Sequence, residues 1–337
     1  MRKWLLNTAL LVVVFAVGGA AMEFGIRLLF PIYDPSGQVE FKAGVDGKPA
    51  LGEPDTTVRQ TMLAGDYDVA VRINKYGFRD FHDIATGTAD DLYVVGDSFS
   101  FGWGVEAGER YSNVLEALSG TRTFNIAIPG NFDQYAKLLS YASAQGADIR
   151  RVIVGVCMEN DLGHYGVTST AGGAGEPRPA RGGGLRTIKE FLTRHSALYK
   201  LVASLVHRNE TLRAAAVRFN LIVDIEKSVP GGAFDQTQID ASVARLRELA
   251  SPYRATLLII PSRALWIGDG QDTAARIHNA FTAALDGLNI PVVDMRPIFE
   301  ASGNPMQYHF KNDGHWTAEA HALAAKALND SLEKTSQ

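Results

Sequence analysis

Between residues 92 and 295 the chain repeats one pattern, a short β-rich apolar run followed by an amphipathic stretch. The runs are LYVVG (92–96), FNIAI (124–128), RVIVGVC (151–157), ATLLIIP (255–261) and IPVVDM (290–295). None alternates strictly between apolar and polar, which fits strands buried on both faces. The stretches between them, near 108–119, 132–146, 237–251 and 271–287, with a last one at 317–333, have helical spacing and fit crossovers. The pattern predicts a doubly wound α/β sheet of about five parallel strands, whose ligands bind beyond the carboxyl ends of the strands.

The N-terminus carries a second constraint. Arg2 and Lys3 precede an apolar run over 5–22 broken only by Asn7 and Thr8. Its length is near the lower limit of about 17 residues for a spanning helix. Positive charge ahead of the run holds that end in the cytoplasm and exports the rest. EFGIRLLFPIY (23–33) continues apolar past Gly18, Gly19 and Ala20, where a signal peptidase would cut. We therefore expect an uncleaved anchor, that is, a single-pass inner-membrane protein with its carboxyl-terminal domain in the periplasm. A secreted or periplasmic product of cleavage is the alternative.

On this basis residues 1–30 form the anchor or signal segment, 31–90 a tether and lead-in, and 91–333 the working domain with an insertion at 164–210. In the lead-in, VAVRINKYGFRD (69–80) alternates and then turns at Tyr76-Gly77, predicting an edge strand or rim loop. In the insertion a Gly-rich stretch (166–184) precedes one amphipathic helix (185–208). That helix is expected to pack on the domain or on partner helices, with a lid, or a surface meeting membrane or glycan, as alternatives.

Composition removes several function classes. Lys and Arg number 33 against 37 Asp and Glu, for a net charge of −4, with no dense basic block, so nucleic acid is not an expected partner. A single cysteine, Cys157, builds neither a disulfide framework nor a Cys/His metal cluster, and in VIVGVC it reads as a small buried hydrophobe. GxSxG, GxGxxG and GxxxxGK[ST] are missing, so neither an α/β-hydrolase elbow nor nucleotide binding is expected. No cofactor and no metal are called for.

The residues just after the apolar runs carry the chemistry. Gly96-Asp97-Ser98 follows the first, Pro129-Gly130-Asn131 the second and Glu159-Asn160-Asp161 the third, while YHFKNDGHWTAEAH, with Asp313 and His315, lies after the fifth. Acyl transfer needs a nucleophile, a base, a group orienting the base and donors for the oxyanion. Ser98 supplies the hydroxyl, His315 takes its proton and Asp313 fixes the imidazole tautomer. The backbone N–H groups of Ser98 and Gly130 and the Asn160 amide are the oxyanion donors. Each has a plain alternative: Ser98 as helix cap, Gly130 as turn residue, Asn160 as helix start, His315 as structural histidine. Ser262, in IIPSR, is a rival nucleophile that lacks the Gly-Asp context. Trp103, Tyr76 and Trp316 are candidate sugar-stacking residues, with core packing as their commoner fate.

These blocks, spread over 92–330, resemble the SGNH (GDSL-type) hydrolase superfamily. GDSFSFGWGV is similar to its first block, with Ser98 in the nucleophile position. NIAIPGN is similar to the second with Gly130, MEND to the third with Asn160, and NDGHW to the last with His315. The resemblance implies a flavodoxin-like three-layer α/β/α sheet and no cofactor. Met158 stands where the third block opens with Gly, and Asn312 occupies the acid position of Asp-x-x-His. Asp313 is one residue closer, a variant similar to that of exported proteins that acetylate alginate and related polysaccharides. In those proteins nucleophile and histidine follow a different chain order. INKYGFRD, IIPSRALW and DGHWTAEAH resemble membrane-anchored bacterial members.

The resulting expectation is an exported serine esterase or O-acyltransferase acting on acetyl esters of an acylated carbohydrate. A transferase would also need a membrane partner protein to deliver the acyl donor. A lipid esterase, and a non-catalytic glycan-binding or assembly protein that keeps the fold, are the alternatives.

Overall fold

The computed structural model describes residues 2–35, 38–44, 47–163, 184–219, 221–222, 229 and 232–335. The five apolar runs form five parallel strands: β1 (Leu92–Val95), β2 (Thr123–Asn125), β3 (Arg151–Cys157), β4 (Arg254–Ile260) and β5 (Val292–Asp294), in the order β2-β1-β3-β4-β5. All four residues of β1 and six of seven in β3 and in β4 are buried, which is why these strands read as continuous apolar runs.

The chain divides into two units. The first comprises Met1–Gln38, Thr61–Asp68 and Pro177–Ile222, and the second Val39–Gln60, Val69–Glu176 and Val223–Gln337. In the second unit the helices are α2 (Ser98–Phe101), α3 (Tyr111–Ser119), α4 (Phe132–Ala144), α8 (Gln236–Ala250), α9 (Gln271–Leu285), α10 (Met295–Glu300) and α11 (Ala318–Thr335). α3 and α11 pack together over a core that includes Leu92, Val94, Leu115, Ile153, Leu258, Trp316 and Leu328, while α8 packs against both α4 and α9. Order reverses at β1: the chain goes outward to β2, then returns past β1 to β3. That reversal opens a crevice beyond the carboxyl ends of β1 and β3.

Residues 39–60 and 69–90, expected as tether and lead-in, cluster with the sheet. Asp68–Arg72 pairs with Thr57–Thr61 in a separate two-stranded sheet, so it is not an edge strand of the main sheet. The ordering force is Arg79, only 2% exposed, whose guanidinium donates to the carbonyls of Gly102 (2.6 Å), Val105 (2.7 Å), Ala70 (3.2 Å) and Phe101 (3.4 Å).

The first unit contains α1 (Arg2–Leu29), α5 (Gly184–His195), α6 (Ala197–Arg208) and α7 (Glu210–Arg218). Within α1, Leu6–Leu29 is long and apolar enough to cross a membrane. The single helix expected over 185–208 is broken at Ser196. Ser196 Oγ accepts from Tyr199 N at 3.1 Å, and the Glu23 carboxylate accepts from Ala197 N (2.7 Å), Leu198 N (3.0 Å) and Ser196 Oγ (2.9 Å). A negative group on the free N–H groups of a helix start is favourable, so a new helix begins there. The Gly-rich stretch, up to residue 183, lies outside the described residues.

Candidate active site

Ser98 opens α2 at the crevice. Asp97 caps that helix by accepting from Phe99 N at 3.0 Å. Gly96 and Gly155, on neighbouring strands, both face Ser100 Oγ so closely that a Cβ at either would collide with it, and Tyr111 Oη donates to the same oxygen at 2.9 Å. The second serine of GDSFS thus seats the turn on the sheet, while Ser98 stays partly exposed.

His315 Nε2 stands 2.8 Å from Ser98 Oγ. Its Nδ1 is hydrogen-bonded to Asp313 Oδ1, which also accepts from His315 N at 3.2 Å. With the proton on Nδ1, Nε2 presents its lone pair to the hydroxyl, the arrangement of a general base. Asp313, and not Asn312, is the carboxylate on the imidazole. Phe99 and Trp103 hold the imidazole, with ring centroids 4.9 and 5.7 Å away and the Trp103 plane only 28° from it.

Asn160 Nδ2 donates to Asp97 Oδ2 at 2.8 Å, linking the end of β3 to the nucleophile turn across the crevice. Burial raises the Asp97 pKa, with the Asn160 bond opposing it. Burial and the charge of Asp97 push Asp161 well above the carboxylate range. Gly130 stands after β2, directly before Asn131, which caps α4 through Asp133 N (3.1 Å) and Gln134 N (3.2 Å). A cleft of about 650 Å³ opens beside these positions, lined in part by Asn131, Asp133, Asp161, Gln238 and Arg245.

The Asp313–His315 turn has its own support. Glu159 accepts from Arg263 N (2.7 Å), Nε (3.1 Å) and Nη2 (2.9 Å), and the Arg263 guanidinium lies against Gly314, where φ is +90° and a side chain would strike it. Burial works to raise the Glu159 pKa, but the Arg263 charge and hydrogen bonds bring it below the ordinary value. Ser262 is buried and caps the next turn by accepting from Ala264 N at 3.1 Å, so it is not placed as a nucleophile.

Two of the candidate stacking residues are engaged elsewhere. Trp316 is 0% exposed, packed against Phe99, Phe299 and His321, and offers no face to a sugar. Tyr76 is half-buried, with its hydroxyl donating to Asp83 at 2.6 Å and its ring under Lys75. Trp103, at 9% exposure, packs on His315. Sequence reasoning gave no role to Asp97, Arg79, Glu159 or Arg263. Their signal was a charge directly after an apolar strand run or inside a turn, indistinguishable there from a solvated rim.

Residues 256–337, which include Asp313 and His315, match the family model described as SGNH hydrolase-like domain, acetyltransferase AlgX. The carboxyl-terminal segment is SGNH hydrolase-like. SGNH-type proteins of this description are esterases or acyltransferases. No curated protein matches the sequence. Among solved structures the chain is similar to a lipolytic G-D-S-L family member from Veillonella parvula, with 12% identity over 72% of this chain and 98% of that one and a TM-score of 0.43. It is also similar to a lipase/acylhydrolase from Enterococcus faecalis (9% identity, 73% and 96% covered, TM-score 0.40). A third is the C-terminal catalytic domain of peptidoglycan O-acetyltransferase A from Streptococcus pneumoniae (12% identity, 74% and 96% covered, TM-score 0.36).

Proposed function

We propose that this SGNH hydrolase-like chain is an exported, membrane-tethered serine esterase or O-acetyltransferase acting on acetyl esters of a carbohydrate. The observation that carries the reading is the chain Ser98 Oγ, His315 Nε2, His315 Nδ1, Asp313 Oδ1, with 2.8 Å between hydroxyl and imidazole. Ser98 Oγ attacks the ester carbonyl carbon while its proton passes to Nε2. The resulting oxyanion is held by the Ser98 and Gly130 N–H groups and the second N–H of Asn160, whose first is committed to Asp97. As the tetrahedral species collapses, His315 gives its proton to the leaving alcohol and the acyl group stays on Ser98. Water or a sugar hydroxyl then attacks, again losing its proton to His315, and Ser98 is regenerated.

The cleft beside Gly130 and Asn160 supports a polyhydroxylated acceptor, because its amide, carboxylate and guanidinium groups match hydroxyl partners. Arg2 and Lys3 ahead of α1, and the span at Leu6–Leu29, support export. The test is hydrolysis of p-nitrophenyl acetate by the full chain. Ser98→Ala and His315→Ala are each expected to lower kcat by at least about 10³-fold, and a Ser98→Ala variant as active as the parent would refute the assignment.

A further inference from the structure

The first unit joins the outer end of α1 to an apolar surface that nothing within the described residues covers. About 20 residues cross the hydrocarbon of a bilayer, so a crossing that starts at Leu6 ends close to Gly25. Glu23 and Arg27 sit at that level, where unpaired charges would be costly. They are not unpaired: Glu23 holds the first N–H groups of α6, and Arg27 Nη2 donates to the His195 carbonyl at 2.7 Å. The junction of α5 and α6 is therefore held where α1 leaves the membrane.

From that junction α5 presents Ile188 and Phe191, three residues apart and 56% and 60% exposed. Lys189 Nζ donates to the Leu221 carbonyl at 3.0 Å, which sets exposed Leu221 beside α5, with exposed Phe219 two residues before it. Over residues 184–219 there are seven Lys or Arg against two Glu, in a chain whose net charge is −4. An aromatic-bearing apolar face on a basic helix is the composition of segments lying in the headgroup region, and the excess positive charge selects an anionic leaflet.

We propose that α5 and the segment after α7 lie on the outer leaflet next to the anchor, with Phe191 inserted among anionic lipids. This rests on α1 spanning the membrane and is independent of the chemistry at Ser98. The test uses the full chain in vesicles, with a thiol-reactive fluorophore on Phe191→Cys, Val13→Cys or Leu118→Cys. Cys157 is buried and stays unlabelled. Acyl-chain-borne and aqueous iodide quenchers are compared in phosphatidylcholine vesicles with and without phosphatidylglycerol.

The label at 191 is expected to be quenched from the lipid and protected from iodide, at least about two-fold more so with phosphatidylglycerol. The label at 13 should see lipid only and that at 118 iodide only. A label at 191 that behaves like that at 118 overturns the proposal, as does one shielded from both quenchers, which would mean a protein or glycan cover. Equal lipid quenching in the two vesicle types overturns the choice of anionic lipid. Lipid at 13 with water at 191 removes the platform alone, whereas water at 13 removes the anchor with it.

Discussion

A serine hydroxyl is a poor nucleophile until a base at hydrogen-bond distance can take its proton, and in this chain that base is fixed on every side. Asp313 holds His315 Nδ1, Ser98 meets Nε2, and Phe99 and Trp103 fix the ring plane. Asp313→Asn keeps the shape but removes the charge and the tautomer preference. It is expected to lower kcat by about 10³–10⁴-fold, whereas Asn312→Ala leaves it within a few-fold of the parent. The opposite ranking would mean that Asn312 orients the base. Asn160→Ala removes one oxyanion donor and should cost about 10²–10³-fold in kcat with little change in KM, read from steady-state kinetics on an acetyl ester.

The nucleophile turn is an element built by its neighbours: Asp97 caps it, Ser100 seats it against Gly96 and Gly155, and Arg79 ties down the loop that follows. Arg79→Leu would leave several buried carbonyls without donors. It is expected to cost about 3–5 kcal/mol of stability, measured by denaturant unfolding, together with activity lost because the loop after α2 is no longer held. An unchanged unfolding midpoint would show that water replaces the guanidinium.

The same element explains what was legible beforehand. Strands β1, β3 and β4 announce themselves because two buried faces leave no polar residue to interrupt the run. The lead-in does not, because a Gly- and Pro-rich segment has no periodicity and its order comes from one arginine reaching distant carbonyls. The break at Ser196 was hidden for a similar reason, since the carboxylate that caps α6 is Glu23, far away in sequence. Trp316 misled because an aromatic residue next to a catalytic histidine reads alike whether it faces inward or outward.

Across the second unit the site and the core share a dependence on neutral histidines. Burial holds the pKa of both His309 and His321 at about 3, against 6.5 for a free imidazole, with Arg263 adding to the effect at His309 and Arg110 at His321. The unfolded chain therefore binds protons first. Their contribution is complete above pH 6.5 and is lost as pH falls from 6.5 toward 3. Thermal unfolding between those limits should show a smaller acid loss in His321→Gln than in the parent, and an identical slope would mean that other groups set the acid limit. The reversal of strand order at β1 places Ser98 and Asn160 on facing edges of one crevice, and the fold brings His315 to it from 217 residues away in sequence. Mass spectrometry after incubation of the full chain with an activated acetyl ester tests that convergence most directly. A single acetyl adduct on the peptide bearing Ser98, accumulating in the parent and missing in Ser98→Ala and His315→Ala, is the predicted result. An adduct located on another residue while turnover persists in Ser98→Ala would contradict it.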